Sequence, residues 1–142
     1  MQLKDVMTKG FVEIIGPDAP VEEAARKMKS LNIGALPVCD GDKLIGMLTD
    51  RDITIRGTAE GLDPKQTRVR EVMTKEVITC MEDHDVKDAA ELMQSKQIRR
   101  VLVLNRHKRL VGMLSLGDLA RHTQDPKRTG ETLAKVSELP AD

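Results

Sequence analysis

The 142 residues carry 23 Lys and Arg against 23 Asp and Glu, so the formal net charge is zero and no global field favours nucleic acid or an anionic membrane. A single Phe and no Trp or Tyr leave the core to Val, Ile, Leu and eight Met, whose flexible thioethers fill irregular gaps. Cys39 and Cys80 form no metal-ligand or redox spacing, no run approaches the roughly 20 apolar residues that span a bilayer, and the start shows no secretory pattern, so the expected location is cytoplasmic.

In chain order, residues 11–15 are short and apolar with one acidic interruption, which predicts a strand. Asp18-Ala19-Pro20 offers helix-start chemistry: a capping carboxylate, and a proline in the first turn where its missing N–H costs least. Val21, Ala24, Ala25, Met28 and Leu31 then recur at helical spacing. Glu22 and Glu23 early, and Lys27 and Lys29 late, suit the helix dipole. Asn32-Ile33-Gly34 ends that helix. Residues 35–39 read as a buried strand, Asp40-Gly41-Asp42 as a hairpin turn, and residues 43–48 as the returning strand. A helix opens at Thr49 and runs to Arg56, and the polar stretch 57–70, with Gly61 and Pro64, reads as a connector.

The second half repeats these steps. Residues 77–80 form the short strand, and Val86, Ala89, Ala90 and Met93 mark the helix face. Residues 100–104 and 109–114 form the hairpin, with the basic run Arg106-His107-Lys108-Arg109 as a solvated turn, and Ser115 opens the last helix. Past His122 the tail is polar, with a weak helical pattern at Leu133 and Val136.

The order is therefore β-α-β-β-α, twice, and the residues repeat with it. Val6-Met7-Thr8-Lys9 returns as Val72-Met73-Thr74-Lys75. At the same offset, Gly46-Met47-Leu48-Thr49-Asp50-Arg51-Asp52-Ile53 returns as Gly112-Met113-Leu114-Ser115-Leu116-Gly117-Asp118-Leu119. A duplication this complete makes an internal two-fold the organising feature. A half of about 60 residues buries too little surface to be comfortable alone, so the halves are expected to pack together as one α+β body. The expected divisions are 1–62, 63–123 and a tail, 124–142.

Two readings compete at Thr49-x-x-Asp52 and Ser115-x-x-Asp118. In the first, each is a capping box, with the hydroxyl on a backbone N–H and the acid reaching back. In the second, the same helix start seats a phosphate on free N–H groups and the hydroxyl, while the acid accepts ribose hydroxyls. For catalysis the chain is poor. His84, His107 and His122 share no metal-like spacing, and no nucleophile with a base and an oxyanion loop is legible, so the chain does not read as an enzyme.

The ordered set Val6-Met7-Thr8-Lys9, Ile33-Gly34-Ala35-Leu36-Pro37-Val38 and Gly46 to Ile53, each with a later copy, resembles a tandem pair of CBS domains (a Bateman module) over residues 3–123. The second copy, Val101-Leu102-Val103, lacks the proline found at Pro37. The resemblance implies two repeats packed with pseudo-two-fold symmetry and two clefts that bind adenine nucleotides (AMP, ADP or ATP) or related adenosyl compounds such as NAD or S-adenosylmethionine. It implies that Thr49/Asp52 and Ser115/Asp118 are the phosphate- and ribose-contacting pairs. By the family pattern, one cleft unites Thr49 and Asp52 with Thr74, Ile78, Ile98, Arg99 and Arg100. The other unites Ser115 and Asp118 with Thr8, Val12, Ile33, Gly34 and Ala35. Arg99 and Arg100 bring cationic forks suited to di- or triphosphate charge, whereas Gly34 and Ala35 bring none. Glu13 stands where the second repeat has Ile78, a carboxylate near the expected adenine pocket. These differences favour the Thr49/Asp52 cleft.

On this reading the chain is a ligand-sensing regulatory module with no catalytic cofactor or metal. It signals by altered packing to an unidentified protein partner and pairs side by side as a homodimer, without nucleic acid or membrane. The alternative is a structural homodimerisation module whose clefts are degenerate and empty. A nucleotide hydrolase is the third and weakest reading.

Overall fold

The structure, a computed structural model, describes residues 1–7, 13–122 and 125–138. Its elements in chain order are α1 (Leu3–Val6), α2 (Val21–Leu31), β1 (Ala35–Asp40), β2 (Lys43–Thr49) and α3 (Asp50–Asp52), which continues as a π-helical turn over Ile53–Thr58. They go on as α4 (Val69–Val72), β3 (Thr79–Met81), α5 (Val86–Lys96), β4 (Arg100–Leu104), β5 (Leu110–Ser115), α6 (Leu116–His122) and α7 (Pro126–Val136). Two compact units result, and they cut across the sequence repeats: Glu13–Val77 forms one, and the described parts of Met1–Val12 and Ile78–Asp142 form the other.

In the Glu13–Val77 unit, α2 buries Val21, Ala24 and Met28 as the spacing predicts, but Leu31 in its last turn is exposed. The expected cap is absent. Pro20 occupies the cap position without a side-chain bond, and Asp18 instead accepts hydrogen bonds from Arg70 Nε (2.8 Å) and Arg68 Nη1 (3.3 Å). Two guanidinium groups outcompete a backbone amide for that carboxylate. Asn32 closes the helix in the left-handed region at φ 54°, and β1 and β2 pair antiparallel around a turn where Gly41 has φ 60°. Of the strand expected at 11–15, Phe11 and Val12 lie outside the described residues. Ile15 contributes a single parallel bridge to Val38.

The connector proves to be part of this unit's body. Val21 N–H donates to Thr67 O and Val69 N–H to Ala19 O, each at 2.9 Å, and Val69 and Val72 are fully buried beside Leu36, Val38 and Leu48. Residues 63–77 therefore pack within the Glu13–Val77 unit. At the unit's edge, Met47 N–H donates to Thr74 O (2.9 Å) and Thr74 N–H donates back to Met47 O (2.8 Å). Gly46 permits this close approach, because a Cβ there would lie 2.8 Å from both Met73 Sδ and the Thr74 carbonyl.

In the other unit, β4 lies between a parallel β3 and an antiparallel β5. Asp85 caps α5 through Lys87 N–H (2.8 Å), Gln97 ends it at φ 52°, and Val86, Ala89, Ala90 and Met93 are all buried. The first helix of the chain belongs here: Leu3 N–H donates to His84 O (2.9 Å) and Lys4 N–H to Glu82 O (3.0 Å). The polar tail forms α7, which packs on α5. Thr132 and Val136 are buried and Leu133 is exposed, so the face in use is one residue away from Leu133. Thr132 Oγ1 accepts from Gln94 Nε2 (2.9 Å) and donates to Arg128 O (2.8 Å), which leaves no buried polar atom of that threonine unpaired.

Candidate functional site

Thr49 ends β2 in extended conformation and caps α3. Its Oγ1 accepts from Asp52 N–H (3.1 Å), and its own N–H donates to Asp52 Oδ2 (3.0 Å). The capping box is closed, and Asp52 is buried. Two further groups attend the same carboxylate. The Thr74 hydroxyl lies 3.1 Å from Oδ1 and 3.2 Å from Oδ2, and Arg56 Nε stands 4.0 Å from Oδ1 while its Nη1 donates to Met73 O at 2.9 Å.

The first-turn amides are occupied as well. Asp50 N–H donates to Gly34 O (2.9 Å), Arg51 N–H to Asp50 Oδ1 (2.9 Å), and Asp52 N–H to Thr49 Oγ1. The expectation of free amides awaiting a phosphate is thus not met at α3. What stays available is the Thr49 hydroxyl proton, since Oγ1 acts only as an acceptor in these bonds.

Ser115 and Asp118 repeat the box at the start of α6. Ser115 N–H donates to Asp118 Oδ2 (2.8 Å), and Asp118 N–H donates to Ser115 Oγ (3.0 Å). Among the described residues the company differs. Arg121 Nη2 donates to Asp118 Oδ1 at 2.5 Å, an ion pair between a buried acid and an exposed guanidinium. Leu116 N–H donates to Arg99 O at 2.8 Å.

The predicted site residues fall into the two units as follows. Thr49, Asp52 and Thr74 meet in the Glu13–Val77 unit, together with Gly34 and with Ala35, the cross-strand partner of Thr49. Ile33 lies exposed just before them. In the other unit, Arg100 is the cross-strand partner of Ser115, so the two side chains share a face of the sheet, and Arg99 sits at the start of α6 through its carbonyl. Ile78 and Ile98 of that unit are half-buried against its core. Within each unit, then, the hydroxyl–acid pair has the pre-hairpin loop of its own repeat beside it. Thr8 and Val12 lie outside the described residues. Glu13 is paired with Lys27 Nζ at 3.5 Å, which neutralises the carboxylate expected near an adenine.

Sequence reasoning did not single out Arg56 or Arg121. Their spacing of four and three residues from an acid on one helical face was the available signal. Cys39 and Cys80 are buried free thiols whose pKa values burial pushes up, so neither is an activated nucleophile. Among the described residues no three His, Cys, Asp or Glu side chains converge as a metal site, and no helix is long and apolar enough to cross a membrane.

This duplicated hairpin-and-helix architecture, with a hydroxyl–acid box at each hairpin's end, defines the class. Residues 3–56 and 69–125 match the CBS domain, and the chain belongs to the CBS-domain family. It is 42% identical over 135 residues to the CBS domain-containing protein YhcV of Bacillus subtilis (strain 168), across 95% of this chain and 94% of that protein. The crystal structure of hypoxic response protein I with two coordinated zinc ions aligns with a TM-score of 0.77 at 38% identity, over 87% of this chain and 99% of that one. The CBS domain pair of protein MJ0100, solved with 5′-methylthioadenosine and S-adenosyl-L-methionine, aligns with a TM-score of 0.72 at 31% identity, over 85% and 94% of the two chains.

Proposed function

We propose that the chain is a non-catalytic sensor of an adenosyl ligand, an adenine nucleotide or S-adenosylmethionine, and that its hydroxyl–acid pairs receive the ribose and what the ribose carries. The similarity to a CBS pair solved with two adenosyl compounds supports the ligand class. The observation that carries the reading is the Thr74 hydroxyl resting across both oxygens of Asp52. A ribose diol offers the same kind of donor, an O–H. Exchanging one O–H donor for another keeps a buried carboxylate satisfied, so seating the ribose replaces bonds rather than losing them. Thr49 keeps a proton to donate to a phosphate oxygen.

The exchange also supplies a signal. Thr74 is tied through its backbone to Met47 and follows α4, so drawing its hydroxyl from Asp52 acts on a segment that holds its unit together. The change can be only as large as the ligand's differential affinity for the two arrangements. A homodimer or another protein partner would read it.

A thermal-shift panel of AMP, ADP, ATP, NAD and S-adenosylmethionine tests the reading. At ligand a hundredfold above its dissociation constant, stability should rise by about 2.7 kcal/mol. A melting temperature unmoved by all five compounds would overturn it.

A second reading, a structural homodimerisation module with empty clefts, is favoured by one observation: the first-turn amides of α3 are satisfied within their own unit. Light scattering that finds a dimer indifferent to every nucleotide would decide for it.

A further inference from the structure

We infer that Arg121 sets the ligand specificity of the Ser115/Asp118 pair by admitting adenosyl ligands that carry negative charge and resisting neutral ones. The inference rests on the adenosyl reading above and deepens it at one of the two acids.

Asp118 is nearly closed off, with a side-chain exposure of 7%, while Arg121 lies on its solvent side at 65%. Each acid oxygen has a holder: Oδ2 takes Ser115 N–H, and Oδ1 takes the Arg121 guanidinium. A ribose diol that uses Asp118 as its acceptor meets the guanidinium at Oδ1 and competes with it for that oxygen. Among the described residues this differs from Asp52, where the donor met on the carboxylate is a neutral hydroxyl.

The energetic consequence depends on the ligand's charge. A neutral nucleoside replaces a bond between two ions with one from a neutral hydroxyl to the carboxylate, and leaves the guanidinium to water. A phosphorylated ligand gives the displaced fork a new anion within reach, and guanidinium matches phosphate bidentately. Arg100, cross-strand from Ser115, adds a second cation on the same side of the sheet.

The arrangement is particular to this repeat. Glycine at 117 leaves room for the guanidinium to lie over the helix start: a Cβ there would stand 3.2 Å from Arg121 Nη1 and 3.5 Å from Ser115 Oγ. The corresponding residues of the first repeat are Arg51 for Gly117 and Ile55 for Arg121, so that acid has no equivalent cover. Arg56 does not substitute, because its Nη1 is given to Met73 O and its Nε stays 4.0 Å from Asp52.

Isothermal titration with AMP and with 5′-methylthioadenosine tests the inference. The full chain is used in an Asp52→Asn background, in which the amide oxygen keeps the cap and the first acid no longer contributes its charge. With Arg121 present, AMP should bind roughly tenfold more tightly than 5′-methylthioadenosine. Arg121→Gln should collapse that ratio toward one by weakening AMP and tightening the neutral nucleoside, and Arg121→Lys, which keeps the charge but not the fork, should restore part of it. An unchanged ratio in Arg121→Gln, with binding intact, overturns the inference and leaves the adenosyl reading standing. Failure of both ligands to bind any variant, wild type included, overturns the adenosyl reading and the inference with it.

Discussion

The helix starts at Thr49 and Ser115 share one local design and differ in what surrounds it. In both, a hydroxyl and an acid three residues apart close a reciprocal pair of bonds, and in both the acid is buried. In the first, a neutral hydroxyl from Thr74 covers the acid and the arginine stands back at 4.0 Å. In the second, the arginine is in contact at 2.5 Å. The hydroxyl–acid spacing therefore fixes a cap, and the described neighbours that reach each acid bear on what it can exchange. A duplication can keep its scaffold while its two copies drift toward different ligands.

The largest test of this comparison removes the support behind each start. Leu48 and Leu114 precede the two hydroxyl residues and are fully buried. Leu48→Ala and Leu114→Ala should each cost roughly 2–5 kcal/mol in urea unfolding. Losses within a kcal/mol or so of each other would mean that the scaffolds are equivalent and the difference begins at the acids. A near-neutral effect at one position would break the equivalence.

A smaller effect separates the acids themselves. Asp52→Ala and Asp118→Ala each open a capping box and should cost about 1 kcal/mol. Double-mutant cycles sharpen the contrast, because Asp118 with Arg121 should couple by about 0.5–1 kcal/mol, given the exposed guanidinium, and Asp52 with Arg56 by about zero. Equal coupling in the two cycles would remove the distinction drawn here.

The smallest effect concerns pH. The Arg70 hydrogen bond, then the charges of Arg70 and Arg68, hold the Asp18 carboxyl below its ordinary range against a desolvation that raises it. A depressed folded-state pKa contributes stability that is complete above the unfolded value and fades as pH falls through the folded one. Asp18→Asn should therefore flatten the acid limb of the stability curve in that window and leave neutral-pH ligand binding unchanged. An acid limb identical to wild type would show that the Asp18 bonds contribute nothing.

Much of this molecule was legible in its residues because the strongest signals are local. Turn chemistry placed both hairpins, the spacing of Val86, Ala89, Ala90 and Met93 placed the face of α5, and the hydroxyl–acid spacing placed both caps. The features that escaped depend on distant partners. Asp18 reads as a cap until Arg68 and Arg70 arrive from fifty residues away. Residues 57–70 read as a loose connector because their composition is polar, yet their backbone bonds to Pro17, Ala19 and Val21 bind them into a body. The tail's weak pattern concealed a helix that turns Thr132, a polar residue, toward α5 and satisfies it there. The π-helical turn over Ile53–Thr58 carries no signal in the spacing of its side chains. At the site, the acids were evident and their arginines were not, since a cation beside an acid on a short helix looks like an ordinary solvated pair.

The central claim is that these two acids receive an adenosyl ligand. Equilibrium dialysis of radiolabelled AMP against the wild type and against an Asp52→Asn, Asp118→Asn double variant, both shown to be folded by circular dichroism, tests it most directly. Saturable binding by the wild type that the double variant loses is the result expected. Undiminished binding by the double variant would contradict the account.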